Sequence, residues 1–133
     1  MGLELYMIGV IVEDMARAIE FYRRLGLDIP EGSESKPHVE VKMSGMTFFL
    51  NTKQHNARWD PARKDITGEG YRMILEFYLK EKALVDAKYA EMIGYGYESH
   101  VAPYPVSKDL YFAMLNDPDG YTILLSAFLA ENA

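Results

Sequence analysis

The sequence has no cysteine, a single tryptophan, and only 14 lysines and arginines among its 133 residues. Without cysteine there can be no disulfide, thiol nucleophile or cysteine-ligated metal. The formal net charge of −6 argues against a nucleic-acid partner, because binding to phosphates requires a basic surface. No apolar run reaches the ~18 residues of a spanning helix, and the first residues lack a basic segment. We therefore expect no membrane partner and a cytoplasmic location.

The order of predicted elements is a strand, a helix and further strands, followed by the same order again. Asp14 is a predicted N-cap, and Gly26 is the predicted end of the first helix. Hydrophobic periodicity and turn residues define the other boundaries. The predicted strands are 5–12, 38–43, 46–50, 72–79, 97–102, 110–116 and 121–128, and the predicted helices are 15–25 and 83–93.

The two halves share side chains as well as element order. Tyr22 and Tyr89 recur at nearly the same offset as Gly26 and Gly94, and "HVEV" at 38 and "HVAP" at 100 are expected in matching strands. Two βαβββ modules predict an α+β fold, in which two curved mixed sheets enclose a shared cavity and the helices lie on the outer face. We expect one domain over residues 1–133, with modules at about 1–55 and 71–131 and a polar connector at about 51–70.

Two motifs carry a family resemblance. The stretch "IGVIVEDMARAIEFYRRLGL", followed near the end by "FAMLNDPDGYTILL", resembles the vicinal-oxygen-chelate superfamily of glyoxalases, bleomycin-resistance proteins and extradiol dioxygenases. The resemblance covers nearly the whole chain and implies the paired-module fold. The turn Asp117-Pro118-Asp119-Gly120 within it is predicted to be architectural, because Pro118 and Gly120 suit a tight turn between the last two strands.

The resemblance also implies positions for a metal site. Enzymes of the superfamily hold one divalent metal with His and Glu side chains, and two of the corresponding positions here are Met7 and Leu124. Neither side chain offers an imidazole or an anionic oxygen. Arg72 or Ile74 stands where a further His is expected, and the hairpin "GMTFFLNT" contains neither Glu nor Gln. We therefore expect no metal or other cofactor.

Several side chains are candidates for chemistry without a metal. Glu76 interrupts an apolar strand. It is either a cavity-facing carboxylate that binds a cation or acts as a base, or an ion-pair partner of Arg72 or of a lysine on another strand. His38 and His100 either orient a ligand or are ordinary half-exposed strand residues. Aromatic residues make up 13% of the chain and suit planar ligands. The candidate ligand-binding residues are Met7, His38, Phe49, Trp59, Arg72, Glu76, His100, Tyr111 and Leu124.

Three functional hypotheses remain open from the sequence. The first is a protein that binds a small aromatic or cationic molecule in the cavity without the usual metal. The second is a metal-dependent lyase or isomerase of the glyoxalase type, built from substitute ligands. In the third, apolar side chains fill the cavity and the chain is a subunit of an assembly. The substitute metal ligands would be His38, Glu40, Glu76 and His100, with Glu76 as the candidate catalytic residue. In each case a homodimer is expected, since members of the superfamily often pair chains.

Overall fold

The computed structural model describes residues 7–55 and 74–129. The chain divides into two compact units, Met1–Gly68 and Glu69–Ala133, which are described separately. The first unit contains β1 (Met7–Val12), α1 (Met15–Leu25), a 3-10 turn (Ser33–Ser35), β2 (His38–Met43) and β3 (Met46–Thr52). The second contains β4 (Ile74–Lys80), α2 (Lys82–Gly94), β5 (Ser99–Pro105), β6 (Leu110–Asn116) and β7 (Thr122–Phe128).

Helix α1 has the boundaries that its local sequence predicts. The Asp14 side chain accepts a hydrogen bond from the backbone N–H of Arg17 at 3.0 Å, which satisfies a donor of the first turn. Gly26 follows the helix with φ 129°, a conformation that favours glycine. The helix face predicted from the spacing of apolar residues is buried, namely Met15, Ala18, Ile19, Tyr22 and Leu25.

The first sheet has the strand order β1-β3-β2. Strand β1 is parallel to β3, whereas β2 is antiparallel to it. One face of the sheet packs against α1, where the ring of Tyr22 lies 5.5 Å from that of Phe48. The buried side chains on this face are Val10, Val12, Val39, Val41, Phe48 and Leu50.

The first unit differs from the predicted βαβββ order. Among its described residues the order is βαββ, because the chain between α1 and β2 forms a loop and a 3-10 turn instead of another strand. Arg23 holds this segment, since its Nη2 donates to the carbonyl oxygens of Ile29 and Pro30 at 3.2 and 2.7 Å. Its Nη1 also pairs with Glu34. One guanidinium thereby satisfies backbone acceptors that a strand neighbour would otherwise satisfy.

The second unit has the predicted βαβββ order and the strand order β4-β7-β6-β5. Strand β4 is parallel to β7, and the other pairs are antiparallel. The edge strand β5 continues to Pro105, past the predicted end at Ala102, because an edge strand tolerates proline. The face packed against α2 is formed by buried side chains, among them Leu75, Ala113, Leu115, Ile123 and Leu125.

Helix α2 ends differently from the predicted stop at Gly94. Gly94 is the last helical residue, and Tyr95 is the C-cap. The glycine with positive φ is Gly96, at 99°, so Gly96 and not Gly94 is the conformational counterpart of Gly26. Val85 and Met92 of α2 are fully buried, as the helical spacing predicted.

The turn between β6 and β7 is stabilised by one of its own acids. Oδ1 of the buried Asp117 accepts hydrogen bonds from the backbone N–H groups of Asp119 and Tyr121, each at 2.8 Å. Gly120 has φ 90°, and the strands pair in register from Asn116 and Thr122 onward. The carboxylate of Asp117 therefore stabilises the turn by accepting two of its backbone hydrogen bonds.

The two units confirm the predicted α+β class. Each has one open mixed sheet with a helix on one of its faces. Within the ranges that the structure describes, no helix is long and apolar enough to cross a membrane.

Candidate functional site

The second sheet has one face that α2 does not cover, and Glu76 lies on it. Directly opposed residues of neighbouring strands point to the same face, and the register places Glu76 opposite Leu124 and Leu124 opposite Met114. Along β4 the alternation agrees with the prediction, since Leu75 is buried whereas Ile74 and Glu76 are exposed. The carboxylate therefore lies on the face away from α2, where Glu76 itself is exposed.

Glu76 has a hydroxyl partner on the neighbouring strand. Oγ of Ser126 donates to Oε2 of Glu76 at 2.8 Å, and Ser126 itself is buried. Arg72, the predicted partner, lies outside the described residues. Across residues 74–129 none of the ion pairs involves Glu76. Its negative charge is therefore not neutralised by a lysine or arginine of this part of the chain.

Aromatic rings stand beside this carboxylate. Tyr78 is two residues from Glu76 on β4, and Phe128 is two residues from Ser126 on β7. Their ring centroids are 5.6 Å apart in an edge-to-face arrangement, and they are 53% and 60% exposed. Phe128 was not among the candidate ligand-binding residues predicted from the sequence, although its place at the end of an apolar strand could have suggested it.

The register gives the neighbour of Leu124 on β4. Ile74 lies opposite Thr122, and Glu76 lies opposite Leu124. Leu124 itself is buried, with 6% of its surface exposed. This position therefore pairs an alkyl side chain with a carboxylate.

Tyr111 lies on the other face of the second sheet, and the expectation that it borders the cavity was wrong. It is opposite Ala127, and its hydroxyl donates to Oδ1 of Asp86 on α2 at 2.5 Å. This hydrogen bond lowers the pKa of Asp86 and raises the pKa of Tyr111. Lys82 adds an ion pair to Asp86 at 3.1 Å. Tyr111 thus joins the helix to the sheet.

His100 is not the counterpart of His38. His38 lies on β2, which pairs with the last strand of its sheet, whereas His100 lies on the edge strand β5, which pairs with β6 only. By topology β6, not β5, corresponds to β2. His100 also lies within a register shift of β5, between Ser99 and Val101. Strands β7 and β6 lie between β5, which carries His100, and β4, which carries Glu76. Three inter-strand spacings of ~4.8 Å therefore place the two backbones roughly 14 Å apart.

On the first sheet, the face away from α1 carries Met7 and Phe49. Met7 lies opposite Thr47, and Gly9 lies opposite Phe49. The ring of Phe49 lies over Gly9, where a Cβ would be 2.0 Å from its Cζ. Glycine at residue 9 thus makes room for an aromatic ring on the sheet.

A polar cluster lies beside this ring. Nε2 of His38 lies 3.0 Å from Oε2 of Glu40, and Nδ1 lies 2.5 Å from Oδ1 of the buried Asn51. The hydrogen bond to Glu40 raises the pKa of His38. The imidazole also contacts the rings of Phe49 and His55, with centroids 5.5 and 5.8 Å away. Asn51 and His55 were missed from the sequence, where Asn51 looked like the first residue of a polar connector.

The donor set does not fit the metal of the superfamily. Met7 offers a thioether, and Leu124 offers no donor atom at all. His38 and Glu40 form a pair, but in residues 7–55 and 74–129 no three His, Asp or Glu side chains are grouped closely enough to hold a metal ion. Trp59, a further candidate for ligand contact, lies outside these ranges.

Comparisons with known proteins agree with this fold. The family model described as "Glyoxalase/Bleomycin resistance protein/Dioxygenase superfamily" matches residues 5–125. A family enzyme from Burkholderia phytofirmans PsJN is 21% identical with a TM-score of 0.80, over 94% of this chain and 98% of that one.

Two further solved structures show the same likeness. A glyoxalase/bleomycin resistance protein from Albidiferax ferrireducens T118 is 25% identical with a TM-score of 0.68, over 96% and 98% of the two chains. A lactoylglutathione lyase from Agrobacterium tumefaciens is 18% identical with a TM-score of 0.68, over 93% and 92%. No curated protein sequence matches the chain.

Proposed function

Because the chain belongs to the glyoxalase/bleomycin resistance protein/dioxygenase superfamily, we propose that it binds a small aromatic or cationic molecule without the usual metal. The observation that carries this proposal is the pair Glu76 and Leu124, directly opposed on the uncovered face of the second sheet. A position at which the resemblance implies a metal ligand is an alkyl group here, and a carboxylate stands next to it. Such a surface attracts an organic cation directly.

Aromatic rings in each unit support the same proposal. The second sheet presents Tyr78 and Phe128. In the first unit, Phe49 has His38 at its side. Flat apolar rings with a few polar groups suit planar organic ligands, because the rings supply contact area and the polar groups supply orientation. On the second sheet Glu76 is then the anionic anchor. On the first sheet His38 and Glu40 are the polar groups beside the ring of Phe49.

The alternative is a metal-dependent lyase or isomerase that uses substitute ligands. One contact favours it, the His38–Glu40 pair at 3.0 Å. It needs a third ligand, and among residues 7–55 and 74–129 no three His, Asp or Glu side chains are grouped closely enough to hold a metal ion. The binding protein is therefore the better-supported function.

Location and assembly belong to the same proposal. A chain without cysteine suits a reducing cytoplasm, and the pairing of chains that the resemblance implies favours a homodimer. Light scattering coupled to size-exclusion chromatography would measure the mass in solution. A mass of one chain at all concentrations would contradict the homodimer but not the binding function.

A thermal-shift screen of chelator-treated protein tests the proposed function. One arm uses divalent Mg, Mn, Fe, Co, Ni and Zn, and the other uses a panel of aromatic compounds, both cationic and neutral. A ligand at 100 times its dissociation constant stabilises the fold by about 2.7 kcal/mol, which a domain of this size reports clearly. We expect stabilisation by organic compounds and none by the metals.

Two variants make the screen specific. Glu76→Gln removes the proposed anchor and should abolish stabilisation by cationic compounds. Glu20→Gln makes the same charge change on the exposed side of α1 and should leave the stabilisation by cationic compounds unchanged. Stabilisation by a metal that disappears in His38→Ala or Glu40→Ala would instead establish the lyase alternative.

A further inference from the structure

Four side chains form one compact patch on the uncovered face of the second sheet. Glu76 and Tyr78 lie two residues apart on β4, and Ser126 and Phe128 lie two residues apart on the neighbouring strand β7, with Tyr78 directly opposite Ser126. Residues at this spacing point to the same face. The Ser126–Glu76 hydrogen bond and the Tyr78–Phe128 ring contact connect the strands at adjacent positions. We call this set the ammonium patch.

We infer that the ammonium patch binds a tertiary or quaternary ammonium group of a small organic cation. This inference deepens the proposed function and rests on it. The negative charge of Glu76 selects a cation, and it has no lysine or arginine partner within residues 74–129. The two exposed rings, set edge to face, offer the aromatic contacts that alkylated ammonium groups favour.

The chemistry of the patch separates this class from other cations. A primary ammonium carries three N–H donors and is strongly hydrated, so it needs several acceptors to replace its water. In the ammonium patch one oxygen of the carboxylate already accepts from Ser126, and the neighbouring surface is aromatic. A methylated ammonium has few or no N–H donors, and its charge is stabilised by ring faces and one nearby carboxylate.

Ser126 is the positioning residue of the patch. It is 3% exposed, and its hydroxyl holds Oε2 of Glu76 against the sheet at 2.8 Å. A glutamate on an exposed strand otherwise samples many rotamers, and fixing it lowers the entropy lost on binding. The hydroxyl therefore fixes the carboxylate against β7, the strand that also carries Phe128.

The test uses choline and benzyltrimethylammonium as probes, with dimethylbutanol as the uncharged carbon isostere of choline. Binding is followed on the full chain by titration of backbone amide signals in nuclear magnetic resonance spectra. We expect the amides of β4 and β7 to shift, and dimethylbutanol to bind about tenfold more weakly or not at all. Glu76→Gln and Phe128→Leu should each weaken the binding of the two cations by about tenfold.

Matched variants separate loss of binding from loss of fold. Glu20→Gln keeps the patch while losing one negative charge on α1, and it should bind the two cations normally. Ser126→Ala should weaken the ammonium probes while leaving binding of neutral aromatic compounds unchanged, which a general loss of structure would not do. An unperturbed amide spectrum of each free variant shows that it is folded.

The outcomes distinguish this inference from the proposed function. Equal binding of choline and dimethylbutanol, or amide shifts confined to residues outside β4 and β7, would overturn the ammonium patch. If a neutral aromatic compound still stabilises the protein in that case, the proposed function stands. If no organic compound in either experiment binds, both are wrong.

Discussion

Gly9 and Phe49 lie directly opposite each other on β1 and β3, and the ring of Phe49 occupies the space that a Cβ at residue 9 would need. The built Cβ is 2.0 Å from Cζ of the ring. The contact places a flat ring on the sheet face away from α1, within 5.5 Å of the His38 ring. Gly9 on β1 thus makes room for the ring of Phe49, and that ring contacts His38 of the polar cluster.

Gly9→Ala should move the ring of Phe49 and destabilise the protein by about 1 kcal/mol. The value lies at the low end of the range for overpacking, because the colliding atoms are the far end of a side chain that can rotate. Urea denaturation measures the loss, and the ring protons of His38 should shift as Phe49 moves.

The cause of that loss can be isolated with two further variants. In a Phe49→Leu background the same Gly9→Ala change should cost less than about 0.5 kcal/mol, since the colliding ring is absent. Gly94→Ala, at the end of α2 where nothing lies within 4 Å of the added Cβ, should be neutral or slightly stabilising. An equal loss in both backgrounds would show that the ring contact is not responsible.

The His38–Glu40 pair should make stability depend on pH. The pKa of folded His38 is raised from its ordinary 6.5, first by the hydrogen bond to Glu40. A raised pKa means that the folded state binds the proton more tightly, so the stabilisation is fully present below pH 6.5 and is lost as the pH rises through the folded pKa. Both side chains are 38% exposed, so solvent screening keeps the effect small.

Glu40→Gln provides the measurement for this pH dependence. The variant should lower the pKa of His38, as followed by the imidazole proton signals during a titration. Its unfolding free energy should fall below that of the parent protein between about pH 5 and 6.5 and converge with it at higher pH. A difference that grows toward alkaline pH would contradict the assigned pair.

Tyr111→Phe should destabilise the protein by about 1–1.5 kcal/mol. The change removes the hydroxyl group of the buried Tyr111, which donates a hydrogen bond to Asp86 on α2. A hydrogen bond to a charged acceptor contributes at least this much. The pKa of Asp86 should rise toward its ordinary value, because the Tyr111 bond is the largest cause of its lowering. The exposed Tyr104 provides the control, since Tyr104→Phe should change stability by less than about 0.5 kcal/mol.

Asp117→Ala should cost about 2 kcal/mol, because two backbone N–H groups of the turn lose their acceptor at once. Asp117→Asn should cost less, since its amide oxygen still accepts. Asp109→Ala, in an exposed loop, serves as the matched control with little effect. The proposed function predicts unchanged ligand binding in Asp117→Asn. A loss of binding in that folded variant would give the turn a role beyond architecture.

Local signals were sufficient for α1 and for the orientation of Glu76. Helix α1 begins after the N-cap Asp14 and ends before Gly26, as predicted. Both residues act on backbone groups within one turn of the chain, so local sequence is enough to predict them. The alternation along β4 put Glu76 and Leu75 on opposite faces, because side chains of a strand point to opposite faces in turn. Neither inference required knowledge of a distant residue.

Pairing between strands could not be predicted with the same success. The hydroxyl partner of Glu76 is Ser126, on the strand beside β4, and no signal in the sequence predicted this contact between two strands. His38 and His100 begin similar short motifs, yet their strands have different neighbours. Tyr111 borders α2 because the register of β6 places it opposite Ala127. A shift of one residue would put it on the other face.

The amino-acid sequence by itself determined the α+β class and the elements of each half. These follow from periodicity, caps and turn residues, which are properties of local sequence. That Met7 and Leu124 stand where metal ligands are expected is implied by the family resemblance, and that neither suits a metal of this kind follows from the donor atoms of single side chains. Only the tertiary structure decided that Glu76 meets Ser126 beside two exposed rings, and that His38 meets Glu40, Asn51 and His55. Most of these contacts join different strands, so they depend on register and strand order, which the packing of helix and sheet selects.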